Sequence, residues 1–169
     1  TQSRSSAASD VYKRQDVHDA AVAIRDTIGA LGLRVIAVDN IASKQPMVDA
    51  EGNILAADVF RWVKEEERWW SDSRIALSSP IPRACRYESE PFWANAQGFH
   101  TRQHNRYLDE LSLDNFEKRA LCKAAIGLPV HLPFGQIGTL CLLHDDPSRD
   151  DLSAEYEACL LYTSPSPRD

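Results

Sequence analysis

Two β-rich runs toward the C-terminal end constrain this chain most. Ala125-Ile-Gly-Leu-Pro-Val-His-Leu132 leads through Pro133-Phe-Gly-Gln136 into Ile137-Gly-Thr-Leu-Cys-Leu-Leu143. Apolar segments of strand length separated by a short stretch with a central Gly predict an antiparallel hairpin. An isolated hairpin is marginal in water, so other strands or covering helices must complete it. Leu33-Arg-Val-Ile-Ala-Val38, bounded by Asp39-Asn40, supplies a further strand, and a short one is expected within Ser43–Asn53, around the turn-like Ala50-Glu-Gly-Asn53.

Helical periodicity accounts for the cover. Val17, Ala20, Ala21, Ile24, Ile28 and Leu31 recur at three- and four-residue steps before Gly29 and Gly32 end the pattern. A second amphipathic helix is predicted over Asp58–Ser73, with Val59, Trp62, Val63, Glu66, Trp69 and Trp70 on one broad face. Ser78-Ser-Pro-Ile-Pro82 is expected to break it, because two prolines remove donors and favour extended backbone. Asp114 is read as the N-cap of a helix from Asn115 to about Lys123, and Asp150-Asp-Leu-Ser153 as the cap of another. Arg83–Glu88 is left as a short helix or strand, and Pro91-Phe-Trp93 as the start of an irregular stretch through Gly98. The resulting class is α+β: a small antiparallel sheet flanked by helices, an α/β/α layering.

The chain has 169 residues and a net charge of −6, which fits one domain. An acidic balance disfavours a nucleic-acid surface, since phosphate neutralisation needs clustered Lys and Arg. No apolar run approaches the roughly 18–20 residues of a spanning helix, so no membrane partner is expected. Four Cys at irregular spacing suit reduced thiols and hence a cytoplasmic location.

The two ends are read differently. Asp10–Gln15 can be written GAT GTG TAT AAG AGA CAG, and the reverse complement, shifted by one base, encodes Cys159, Leu160, Leu161, Tyr162, Thr163 and the start of Ser164. Complementary coding at the two ends matches the transposon-end sequence of tagmentation libraries. Residues 1–15 and 159–169 are therefore read as adapter-derived, and 16–158 as a single-domain fragment of a longer protein, as fusion scars are set aside.

Aromatic density marks the candidate site. Phe60, Trp62, Trp69, Trp70, Tyr87, Phe92 and Trp93 include every Trp in the chain, and such side chains either wall an apolar pocket or form ordinary core. Arg83, Arg86, Glu88 and Glu90 follow the prolines, where an Arg could clamp a carbonyl or carboxylate, or join an ion-pair network. His100 and His104 are four apart, a spacing that would share a helix face, but the zinc-protease Glu is missing. Cys85, Cys122 and Cys141 are dispersed and read as small hydrophobes. His131, alternating with Val130 and Leu132, faces away from them. No phosphate loop, nucleophile elbow or carboxylate pair is present, so no enzyme activity and no cofactor are expected.

The tryptophan-bearing stretch Trp62–Trp70, the segment Leu77-Ser-Ser-Pro-Ile81, Pro91-Phe-Trp93 and the hairpin from Ala125 resemble GAF-type sensory domains. More narrowly, they resemble the autoinducer-binding domain of LuxR-type quorum-sensing regulators. That family follows its tryptophan helix with Asp-Pro-Val-Val, then Pro-Phe-x-Trp, then Gly-Ile-Thr-Leu-Pro-Val. Here Ser79 stands where the family has the Asp that holds the ligand amide, and Gly127 where it often has Thr or Ser. A hydroxyl in place of a carboxylate weakens a charge-assisted hydrogen bond, which argues against an acyl-homoserine lactone.

The resemblance implies a small-molecule-binding sensory domain, part of a bacterial transcriptional regulator that meets DNA only through a C-terminal domain outside this sequence. Trp62, Trp70 and Trp93 are then the expected wall, with Ser79 and Arg86 as polar contacts. Two alternatives stand beside it: a ligand-free domain of the same fold that forms a homodimer, with its pocket packed shut, and a metal-dependent enzyme in which His100 and His104 converge with His131 or Asp109.

Overall fold

The computed structural model describes residues 17–43, 45–60 and 79–163. The predicted helix over Asp58–Ser73, with Trp62 and Trp70, lies almost wholly outside the described residues, as do 1–15 and 164–169. Helix α1 (residues 17–29) comes first, and strand β1 (Leu33–Val38) follows through Gly32. Gly32 has φ +72, a left-handed turn that glycine adopts without the Cβ penalty. Strands β2 (Phe92–Asn95), β3 (Gly98–Thr101), β4 (Ala124–His131) and β5 (Ile137–His144) complete a five-stranded antiparallel sheet in the order β1-β5-β4-β2-β3.

The hairpin expected from the sequence is β4–β5, with Val130 opposite Gly138 and His131 opposite Ile137. Residues around Pro133–Gly135 form its turn, with Phe134 and Gly135 both at positive φ. The second strand expected within Ser43–Asn53 amounts to one bridge, Val48 to Ile54.

Where the sequence suggested an irregular stretch after Pro91, the structure has the β2–β3 hairpin. Asn95 builds it: its Oδ1 accepts from the backbone N–H groups of Gln97 and Gly98, closing the turn with a side chain. The two prolines after Ser79 begin a short helix, α2 (Pro80–Ala84), instead of extended backbone. Pro80 and Pro82 sit in its first turn, where amide donors have no helical partner and a missing N–H costs nothing.

Short helices α3 (Arg106–Asp109) and α4 (Phe116–Ala120) follow. Helix α4 is shorter than the periodicity suggested and is entered through Asn115, in the left-handed region at φ 53. The final helix, α5 (Ser153–Thr163), is capped as expected: the Asp151 carboxylate accepts from the Ser153 N–H at 2.8 Å. It runs on past Ala158, and Cys159 is buried against the sheet.

The strand period of two divides the core into two layers. Leu33, Val35, Ala37, Trp93, Ile126 and Leu142 face one way, toward Ala21 of α1, Tyr156 of α5 and Leu152 just before it. Ile36, Phe92, Ala94, Ala125, Cys141 and Leu143 face the other, toward α2, Leu108 of α3 and Phe116 of α4. The α+β class with helices on both faces of an antiparallel sheet is thus the observed architecture.

Candidate functional site

The two faces of the sheet differ in how completely they are filled. On the α2–α4 face, Phe92 is fully buried and its ring lies over Gly127 on the neighbouring strand; a Cβ at 127 would come within 2.5 Å of the ring. The space a Thr or Ser side chain would take at this position is therefore already filled by an aromatic ring. Beside it, Cys85 donates to Thr139 Oγ1 at 3.3 Å, and Thr139 and Cys141 are buried. Burial pushes the Cys85 thiol up to about 11, moderated by the Thr139 contact, and the Cys122 thiol up to about 12. Cys141 is shifted the same way by burial. Burial of this kind keeps the thiols protonated and suits them to packing. A cavity on this face, between Ile36, Ser79, Pro82, Arg119 and Cys141, holds about 20 Å³, room for one water.

The α1 face holds a larger space. An open groove of about 250 Å³ lies between α1 and the sheet, walled by Ala20, Ile24, Met47, Phe60, Val130 and Leu140. Its origin is the small residues on both walls: Ala20 and Ala21 on the helix, Ala37 and Gly138 on the strands. Gly138 cannot be enlarged cheaply, because a Cβ there would lie 3.0 Å from the Val38 carbonyl oxygen and 3.2 Å from that of Asp39. Among the described residues that line it, Asp39 alone is a charged type.

Among the described residues, two polar contacts add to the apolar packing of α1 on this layer. Arg25 Nη1 donates to the Val59 carbonyl at 3.3 Å, joining α1 to the turn that ends at Phe60. His18 Nδ1 lies 3.0 Å from Oδ2 of Asp49, whose side chain is completely buried. Asp49 also accepts from the N–H groups of Glu51 and Asn53 and from Asn53 Nδ2. Burial alone pushes the Asp49 carboxyl up, but the bonds from Asn53, His18 and Glu51 outweigh it and hold the group below its ordinary value. Its loop leads directly from Met47 on the groove wall.

The residues expected from the sequence are not brought together by the described part of the structure. Trp62 and Trp70 lie outside it. Ser79 is buried on the α2–α4 face, and Arg86 is exposed at the end of α2. Trp93 is buried on the opposite face, stacked on His100 with ring centroids 3.8 Å apart and planes 13° from parallel. Phe92 and Trp93 are successive residues of β2, so their side chains leave the sheet on opposite faces. Ser79 and Trp93 thus cannot line one pocket.

The metal reading is not supported among the described residues. His100 lies in β3, not on a helix, and is engaged by Trp93. His104 pairs with Asp109 at 2.8 Å, while His131 sits 3.0 Å from the Cys85 carbonyl oxygen. Three separate contacts occupy the three imidazoles, and no cluster of His, Cys, Asp and Glu among the described residues could hold a metal ion. His131 does face away from Val130 and Leu132, which turn toward the α1 groove.

No helix of the described residues is long and apolar enough to cross a membrane. No protein-family model matches the chain, nor does any curated protein or solved structure.

Proposed function

We propose that this chain is a small-molecule-binding sensory domain whose ligand sits between α1 and the sheet. The observation that carries this reading is the 250 Å³ groove with its almost wholly apolar lining. An engineered apolar cavity of about 150 Å³ takes up benzene, so a space of this size suits a short acyl chain or a compact ring system. Its walls include α1, which is held to the rest of the fold by the apolar packing around Ala21 and by polar contacts at His18 and Arg25. A ligand bridging α1 and the strands favours one placement of the helix, and such differential binding is what a population shift requires. In a regulator, a DNA-binding domain beyond this sequence would respond to that placement.

The test compares the native chain with Ile24→Trp, which fills the groove from the helix side. Octan-1-ol and small aromatic alcohols should raise the Tm of the native protein in proportion to the logarithm of concentration. The shift should vanish in the variant, whose fold is checked by circular dichroism. Absence of any shift in the native protein across the panel overturns the proposal.

A second reading rests on the β4–β5 tip. Phe134 is fully exposed, and Leu132 and Val130 beside it are 39% and 44% exposed. An apolar tip of this kind suits a homodimer or another protein partner. Sedimentation of the native chain against Phe134→Ser distinguishes it, since the second reading predicts a dimer that the substitution dissociates.

A further inference from the structure

Among the described residues, the groove between α1 and the sheet exposes almost no polar surface, and that limits how a ligand bound there can be recognised; the inference rests on the binding reading above. Ile24, Met47 and Leu140 line the groove and belong to the apolar layer on the α1 side of the sheet. Thr139 lies between Gly138 and Leu140, so the strand period sends its side chain to the other face, where Cys85 donates to its hydroxyl at 3.3 Å. Thr139 and Leu140 pair with β1 on one side and β4 on the other, which spends their backbone groups in the sheet. Asp39, at the bend after β1, meets the Gly138 wall through its backbone, and its carbonyl oxygen accepts from Gln136 Nε2 at 2.9 Å. None of these wall groups is left to choose between one head group and another.

A ligand therefore enters by its hydrocarbon part and keeps its polar end in water, because a polar group carried into such a space loses its hydration without gaining a partner. What remains to be read is size. An apolar cavity of about 150 Å³ accepts the six carbons of benzene; in proportion, the 250 Å³ of this groove holds about ten carbons. We infer that the groove reads hydrocarbon volume alone: it takes alkyl or cyclic hydrocarbon groups of up to about ten carbons and is indifferent to the charge of the head group they carry.

The experiment titrates three series calorimetrically into the native chain: straight-chain primary amines, primary alcohols and carboxylates from hexyl to dodecyl, each below its micellar or solubility limit. High ionic strength screens the net charge of −6. At each chain length the three head groups should bind within about twofold of one another. Each added carbon should tighten binding by up to about fourfold as far as the decyl member, and the gain should stop there. Ala20→Leu should move that break to shorter chains and Leu140→Ala to longer ones, with the fold of both checked by circular dichroism. A preference of about tenfold for one head group at equal length overturns the inference, because a polar group of the protein then meets it. So does a gain that runs unbroken through dodecyl; either result leaves the groove as a binding site. No binding of any series, or a break that neither substitution moves, overturns the binding reading itself.

Discussion

The two faces of one sheet, built from alternate residues of the same strands, have different packing. Phe92 and Trp93 are neighbours in β2, yet Phe92 seals the α2–α4 face by lying over Gly127, while Trp93 belongs to the layer that contains the groove. The difference comes from where the small residues stand. Gly127 faces an aromatic ring that fills its missing side chain, whereas Ala20 and Ala21 of α1 and Ala37 of β1 line an open groove. A small residue thus makes a cavity only when nothing opposite it is large. Packing on one face supplies stability, and incomplete packing on the other leaves the groove of the proposed site.

Substitutions can break this contrast. The largest effect is expected for Phe92→Ala, which opens the filled face at a fully buried ring. It should cost about 3–5 kcal/mol in chemical denaturation. A cost below about 1 kcal/mol would show that this face is not tightly packed.

Adding volume should act with opposite sign on the two faces. Gly127→Ala forces a Cβ against the Phe92 ring at 2.5 Å and should destabilise by about 1–3 kcal/mol. Ala20→Leu places more carbon in the groove and should be neutral or stabilising by about 0.5–1 kcal/mol. Equal destabilisation by both would remove the contrast.

The attachment of α1 gives a smaller, pH-dependent effect. The Asp49 carboxyl is held below its ordinary value in the folded chain, so its contribution is present above the unfolded value of about 3.9 and is lost as pH falls toward the depressed one. The Tm should drop by a few degrees across that acidic window, and Asp49→Asn should flatten this part of the profile. An unchanged profile would show that the buried carboxylate does not help to hold the helix.

Much of the architecture was legible from periodicity and turn chemistry. The β4–β5 hairpin, β1, α1 and the Asp151 cap all follow from local patterns, and local patterns decide such elements when they agree with the tertiary fold. The β2–β3 hairpin was missed because its turn is closed by the Asn95 side chain instead of a Gly pair at the centre. Helix α2 was missed because proline opposes a helix only beyond the first turn. The site was the least legible part. Aromatic residues draw attention in a sequence, but the groove is made by alanines and a glycine whose importance depends on what faces them. Asp49 carried a signal in its Asp-Ala-Glu-Gly-Asn turn, though its link to His18 joins residues 31 apart.

The most direct test of the contrast is a map of amide and methyl chemical-shift changes on saturation with octan-1-ol. Changes concentrated at Ala20, Ile24, Ala37, Met47 and Leu140, with Ala125, Gly127 and Cys141 unmoved, are the result expected if the α1 groove is the site. Changes centred on Ala125, Gly127 and Cys141 would contradict it, as would none on either face.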